Sequence, residues 1–139
     1  MRILFVSQYY YPEMGAPSVR VQQLSRAWAA SGHDVTVLTA FPNHPRGKIY
    51  PGYRHRFLRL VDTRHRDGVR VLRVVHVPTA NRAGWERIVS YSSFAITASV
   101  LGSVVRDVDV VIATSPQLLV GLVGWLRTKL SKAAFVLEV

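Results

Sequence analysis

Short runs that are apolar at every position alternate along this chain with longer stretches in which apolar residues recur at helical spacing. Residues 3–6, Ile3-Leu4-Phe5-Val6, form the first such run. Successive strand residues face opposite ways, so a strand apolar at every position is covered on both sides, as in a parallel sheet. Pro17, Val21, Leu24 and Trp28 then follow at steps of four, three and four, one stripe of a helix predicted over 17–31. Proline suits a first helical turn, and Gly32 after Ser31 suits the position just past a helix end. Residues 35–39, with Val35, Val37 and Leu38, predict a second strand. Strand, helix and strand in this order make a right-handed βαβ unit.

Residues 41–53 hold three prolines and two glycines and are expected to form a long loop, a feature compact domains keep mainly for function. The runs 57–61 and 69–75 are strand-like and flank Asp67-Gly68, a common hairpin turn pair, and the second is expected to rejoin the main sheet. Asn81 is placed to cap a helix over 82–106 that carries Trp85, Ile88, Val89, Phe94, Ile96, Val100, Leu101, Val104 and Val105. A buried strand over 108–113, a helix over 118–130 and a strand over 134–139 complete the pattern. The fold class is therefore α/β: a Rossmann-like, doubly wound, mostly parallel sheet with an inserted basic hairpin. Residues 88–105 are eighteen positions without a formal charge, which raises the question of a membrane span. Serines at 90, 92, 93, 99 and 103, with Tyr91 and Thr97, dilute the stretch, and packing on the sheet is the expectation. Together with the apolar stretch 121–126 and the arginines, this helix leaves association with a membrane surface open.

At 139 residues one domain is expected, and its formal net charge is +10. Only Lys48, Lys129 and Lys132 of the eighteen cations are lysines. Guanidinium groups make flat, two-pronged contacts with phosphates and carboxylates, which points to an anionic partner. Residues 46–73 concentrate nine Lys/Arg against Asp62 and Asp67. Two readings of this segment stand: a solvated hairpin face, or a patch for phosphates of nucleic acid, of an anionic bilayer or of a small molecule. The absence of cysteine excludes disulfide scaffolds, thiolate metal sites and cysteine nucleophiles. The five histidines lack metal-type spacing, so no metal site is expected. The apolar run at the start is too short for a signal-peptide core, and a cytoplasmic protein is expected.

The loop after strand one, Pro12-Glu13-Met14-Gly15-Ala16-Pro17-Ser18, delivers backbone N–H groups to a helix amino end. It has no GxGxxG spacing, and Gly47-Lys48 is followed by Ile49, so neither a dinucleotide fingerprint nor a P-loop is present. In a doubly wound sheet the strand over 108–113 lies on the other side of strand one and opens a crevice there. Thr114-Ser115-Pro116-Gln117 would face the Gly15-Ala16 loop across it, and His44 leaves strand two at the same edge. Each of these loops also has a plain reading: a proline-stiffened turn, a Ser-Pro turn, a solvated loop histidine. The sequence stops inside a strand pattern at Val139, and a fragment is expected.

Taken together, Ile3-Leu4-Phe5-Val6-Ser7, Tyr11-Pro12-Glu13-Met14-Gly15-Ala16-Pro17-Ser18 with Arg20, Gly32-His33-Asp34, Pro42-Asn43-His44-Pro45, Gly52-Tyr53, Asp67-Gly68-Val69 and Ser115-Pro116 carry a resemblance. The chain resembles the amino-terminal half of a GT-B glycosyltransferase of the large family-4 type, close to the bacterial group, fucosamine transferases among them, that builds polysaccharide and lipopolysaccharide repeats. The resemblance implies a retaining transfer of a sugar from a nucleotide-sugar to a glycan or lipid-linked acceptor, with residues 1–139 holding the acceptor. It further implies no cofactor and no metal, a nucleotide-sugar site in a second Rossmann-like domain absent from this chain, and a place at the inner face of the plasma membrane. Gly15, Ala16, Arg20, His44 and Ser115 are the substrate-binding residues it implies. Many relatives carry a Gly-Gly pair where this chain has Gly15-Ala16, and a histidine where it has Ser115-Pro116. A basic nucleic-acid- or membrane-binding module without catalysis is the alternative; neither an RNP-like aromatic strand nor a recognition-helix pattern accompanies the arginines. A nicotinamide-dependent oxidoreductase would need the missing glycine fingerprint.

Overall fold

The computed structural model of the chain describes residues 1–11, 16–42, 49, 53, 61–66, 68–77, 83–101, 105, 108–114, 125 and 133–138. Its elements are β1 (Arg2–Val6), α1 (Ala16–Ala30), β2 (Asp34–Ala40), β3 (Val61–Arg66), β4 (Val69–Val74), α2 (Gly84–Leu101), β5 (Val110–Thr114) and β6 (Ala134–Glu138). One six-stranded sheet runs in the order β3-β4-β2-β1-β5-β6. From β4 to β6 neighbouring strands are parallel, and β3 is an antiparallel edge.

Residue parity decides which helix covers which face. Ile3, Phe5, Val35, Val37, Val69 and Val71 pack together with Val21, Leu24 and Trp28 of α1, and the Phe5 and Trp28 rings lie 5.2 Å apart. Leu4, Val6, Leu38, Ala40, Leu72 and Val74 point the other way and pack with Phe94 and Ala98 of α2. The two helices therefore sandwich the sheet, and the apolar runs of β1 and β2 are buried on both sides, each Leu or Phe contributing about 1.5–3 kcal/mol. The end of α1 follows its glycine: Gly32 has φ +94°, its N–H donates to the Ala29 carbonyl and that of His33 to the Trp28 carbonyl. This is the paired bonding of a Schellman motif.

Two expectations need correction. The first hairpin strand, expected over 57–61, is described from Val61 to Arg66 and takes in the polar run Asp62-Thr63-Arg64-His65-Arg66; residues 57–60 lie outside the described residues. Arg66 pairs with Val69, so the connection is only residues 67–68, with Gly68 at φ +77°, and so tight a turn draws the residues directly before it into the ladder. The long helix spans Gly84–Leu101 and not 82–106; Asn81 lies outside the described residues. Nor is its apolar sequence all core: Trp85, Ile88, Val89, Ile96 and Val100 are exposed, because only the side bearing Ser90, Phe94 and Ala98 meets the sheet. The helix expected over 118–130 falls outside the described residues except at Trp125.

Candidate functional site

β1 lies between β2 and β5, and its two neighbours are reached by connections on opposite faces of the sheet. Val6 is level with Leu38 on one side and Ala113 on the other. The chain leaves β1, β2 and β5 at one edge, where the reversal of strand order opens a crevice.

The amino end of α1 is presented at this edge. Ala16 is its first residue and is exposed, and Arg20, one turn further, is exposed as well. No acidic residue occupies the first turn, so its N–H groups and the positive end of the helix dipole keep their attraction for an anion or hydroxyl. Ser18 in the same turn is buried, and its Oγ has no hydrogen-bond partner among the described residues. Gly15, His44 and Ser115 lie outside the described residues; the strands before His44 and Ser115 end at this same edge, β2 at Ala40 and β5 at Thr114.

Two residues not foreseen from sequence hold the edge together. Arg73 of β4 is buried, donates through Nη1 to the Ala40 carbonyl at 3.2 Å and through Nη2 to the Tyr11 carbonyl, and stacks its guanidinium 5.0 Å from the Tyr53 ring centre. A guanidinium is tolerable inside a protein only when acceptors replace its water. Arg73 thereby ties the segment after β1 to the end of β2 and to Tyr53. Gln8 does the same toward the other layer. Its Nε2 donates to Ser90 Oγ of α2 at 3.0 Å, its carbonyl accepts from Thr39 Oγ1 at 3.2 Å, and its buried Oε1 has no hydrogen-bond partner among the described residues. The available signal for Arg73 was a charge between Leu72 and Val74 in an apolar strand; Gln8 stands out only once its burial is known.

His76, two residues beyond β4, is buried, and loss of solvation lowers its pKa to about 4. It is a neutral imidazole at neutral pH. Among the described residues no cluster of three His, Asp or Glu is placed to hold a metal ion, and no helix is long and apolar enough to cross a membrane.

The family described as a glycosyl transferase 4-like domain matches residues 15–139 of this chain. No curated protein matches it.

Proposed function

Because this chain belongs to the glycosyl transferase 4-like family, we propose that residues 1–139 are the acceptor-holding half of a retaining glycosyltransferase, which moves a hexose-type sugar from a nucleotide-sugar to a glycan or lipid-linked acceptor. The observation that carries this reading is the switch point at β1, where the exposed, acid-free amino end of α1 stands at the carboxyl edge of the sheet. Doubly wound sheets take their ligands there.

In this proposal the backbone of Gly15 and Ala16 approaches the sugar or its phosphate. Arg20 supplies positive charge from the first turns of α1, and His44 and Ser115 supply hydrogen bonds. Arg73 and Gln8 touch no substrate but fix the segment that leads into Gly15, through the Tyr11 carbonyl and the carboxyl end of β1. The bond from the anomeric carbon to the diphosphate oxygen breaks, the nucleoside diphosphate leaves with the bonding electron pair and takes up the proton of the acceptor hydroxyl, and the acceptor oxygen bonds to the anomeric carbon on the same face. The nucleotide-sugar is bound mainly by a second Rossmann-like domain, with no cofactor and no metal.

The test uses an enzyme that contains both domains. His44→Ala is expected to leave the melting temperature unchanged and lower kcat/KM at least about tenfold, or about 1.4 kcal/mol of transition-state stabilisation. Gly15→Val places a branched side chain where the backbone approaches the ligand, and it should reduce transfer far more than stability. Wild-type rates in both variants would move the acceptor site away from this crevice.

A further inference from the structure

We propose that Tyr11 and Tyr53, gathered around the buried guanidinium of Arg73 at the carboxyl edge of the sheet, form an aromatic platform for the C–H face of an uncharged pyranose ring, the sugar end of the acceptor. Arg73 brings together two tyrosines that are far apart in sequence. Its Nη2 donates to the Tyr11 carbonyl, and its guanidinium carbon lies 5.0 Å from the centre of the Tyr53 ring. Its Nη1 donates at 3.2 Å to the carbonyl of Ala40, the last residue of β2, which fixes the cluster at the edge where β1 and β2 end. Arg73 is buried, whereas both tyrosines are part-exposed.

The segment that carries Tyr11 is held in place before any ligand arrives. Its neighbour Tyr10 is fully buried in the layer beneath α1, and Tyr11 packs against the same cluster. Ser7 Oγ donates to the Tyr9 carbonyl at 2.9 Å and Arg73 to that of Tyr11, so the backbone is pinned on both sides of Tyr10. Tyr53 is held differently, by one ring face set over the guanidinium. An aromatic ring on a fixed backbone has little freedom left to lose on binding, and tyrosine then supplies contact area at low entropic cost.

Charge and shape select a sugar ring as the occupant. The Arg73 cation is engaged by two carbonyls and a ring, so the spot presents aromatic surface and not an open guanidinium. A phosphate or carboxylate is drawn instead to the acid-free amino end of α1 and to exposed Arg20, on the same edge. A pyranose whose hydroxyls are mainly equatorial has faces of axial C–H bonds and a polar rim. The faces suit a tyrosine ring, and the rim suits its phenol oxygen and nearby backbone groups. An acyl chain has no polar rim to match the phenols of two part-exposed rings. The inference rests on the acceptor reading for the sugar's place in the reaction, but the binding is measured without transfer.

The experiment is NMR of the 139-residue chain with the methyl β-glycosides of glucose, galactose, mannose and N-acetylglucosamine as probes, and with uridine. At least one glycoside is expected to shift the ring resonances of Tyr11 and Tyr53 with a Kd of about 10 mM or tighter. Saturation transferred from the protein should reach its axial C–H protons first. Tyr11→Leu and Tyr53→Leu should each weaken this binding at least about fivefold, whereas Tyr11→Phe and Tyr53→Phe, which keep the ring, should stay within about twofold of the parent. Melting and circular dichroism identify any variant that fails to fold, and the ring shifts of the parent decide the matter where a leucine variant does. Three results would overturn the inference: no glycoside that moves either ring, leucine variants that fold and bind like the parent, or uridine displacing the glycoside from the same rings. The last would make the platform a nucleobase stack. None of the three touches the transfer reading, which stands or falls with His44→Ala and Gly15→Val, and glycoside binding at the two rings would uphold the platform whatever those variants do.

Discussion

Arg73 and His76 stand within a few residues of each other, and burial acts on them in opposite ways. A guanidinium keeps its charge at any accessible pH, so Arg73 is accommodated by carbonyls of Ala40 and Tyr11. An imidazole can discard its proton, and His76 does so, its pKa lowered by burial from 6.5 to about 4. The unfolded chain takes up a proton as pH falls below 6.5 whereas the folded chain does not until near 4. The contribution of His76 to stability is therefore whole above pH 6.5 and is lost as pH falls through that window; in full it amounts to about 3 kcal/mol. Urea unfolding at about pH 7.5 and about pH 4.5 should show this loss in the parent, with a visibly smaller loss in His76→Asn. Equal losses in the two proteins would assign the pH dependence to other groups. Neither residue's environment is legible locally, because burial at a sheet edge depends on which distant segments cross it.

At the scale of elements, what was legible is what local periodicity controls. The stripe Val21, Leu24 and Trp28 and the Gly32 stop define α1 because each acts within a turn or two of its own position. The part of β3 over 62–66 was not legible, because an edge strand with polar residues lacks the apolar alternation by which strands are recognised, and only the two-residue turn fixes its register. α2 was misjudged differently. Its sequence is apolar almost all round, so periodicity did not distinguish the side that meets the sheet. That distinction is measurable. Phe94→Ala removes a fully buried ring and should cost about 3–5 kcal/mol. Ile96→Ala, two residues away and exposed, should change stability by no more than about 0.5 kcal/mol. Comparable losses at the two positions in chemical denaturation would mean that α2 meets the sheet with a different face.

At the scale of the whole molecule, the placing of β2 and β5 on either side of β1 was legible because a βαβ unit has one favoured hand and fully apolar strands demand cover on both faces. The crevice at β1 follows from that order, but its chemistry does not, since a doubly wound sheet hosts many reactions and the ligand is chosen by loops. The relevant loop here, between β1 and α1, lacks the GxGxxG pattern that lets a backbone close on a pyrophosphate. Its crevice offers instead an exposed helix amino end, with Arg20 one turn along. In the proposed reading that arrangement serves the acceptor side of the transfer, and the nucleotide is held elsewhere. The 139-residue chain by itself is accordingly expected to bind no free nucleoside diphosphate or NAD more tightly than about 1 mM by calorimetry, and to turn over no nucleotide-sugar. Micromolar NAD binding would favour an oxidoreductase over the transfer reading. Turnover of a nucleotide-sugar by this chain would place the whole catalytic site within residues 1–139, and the division of labour between two domains would then be wrong even though the reaction class was right.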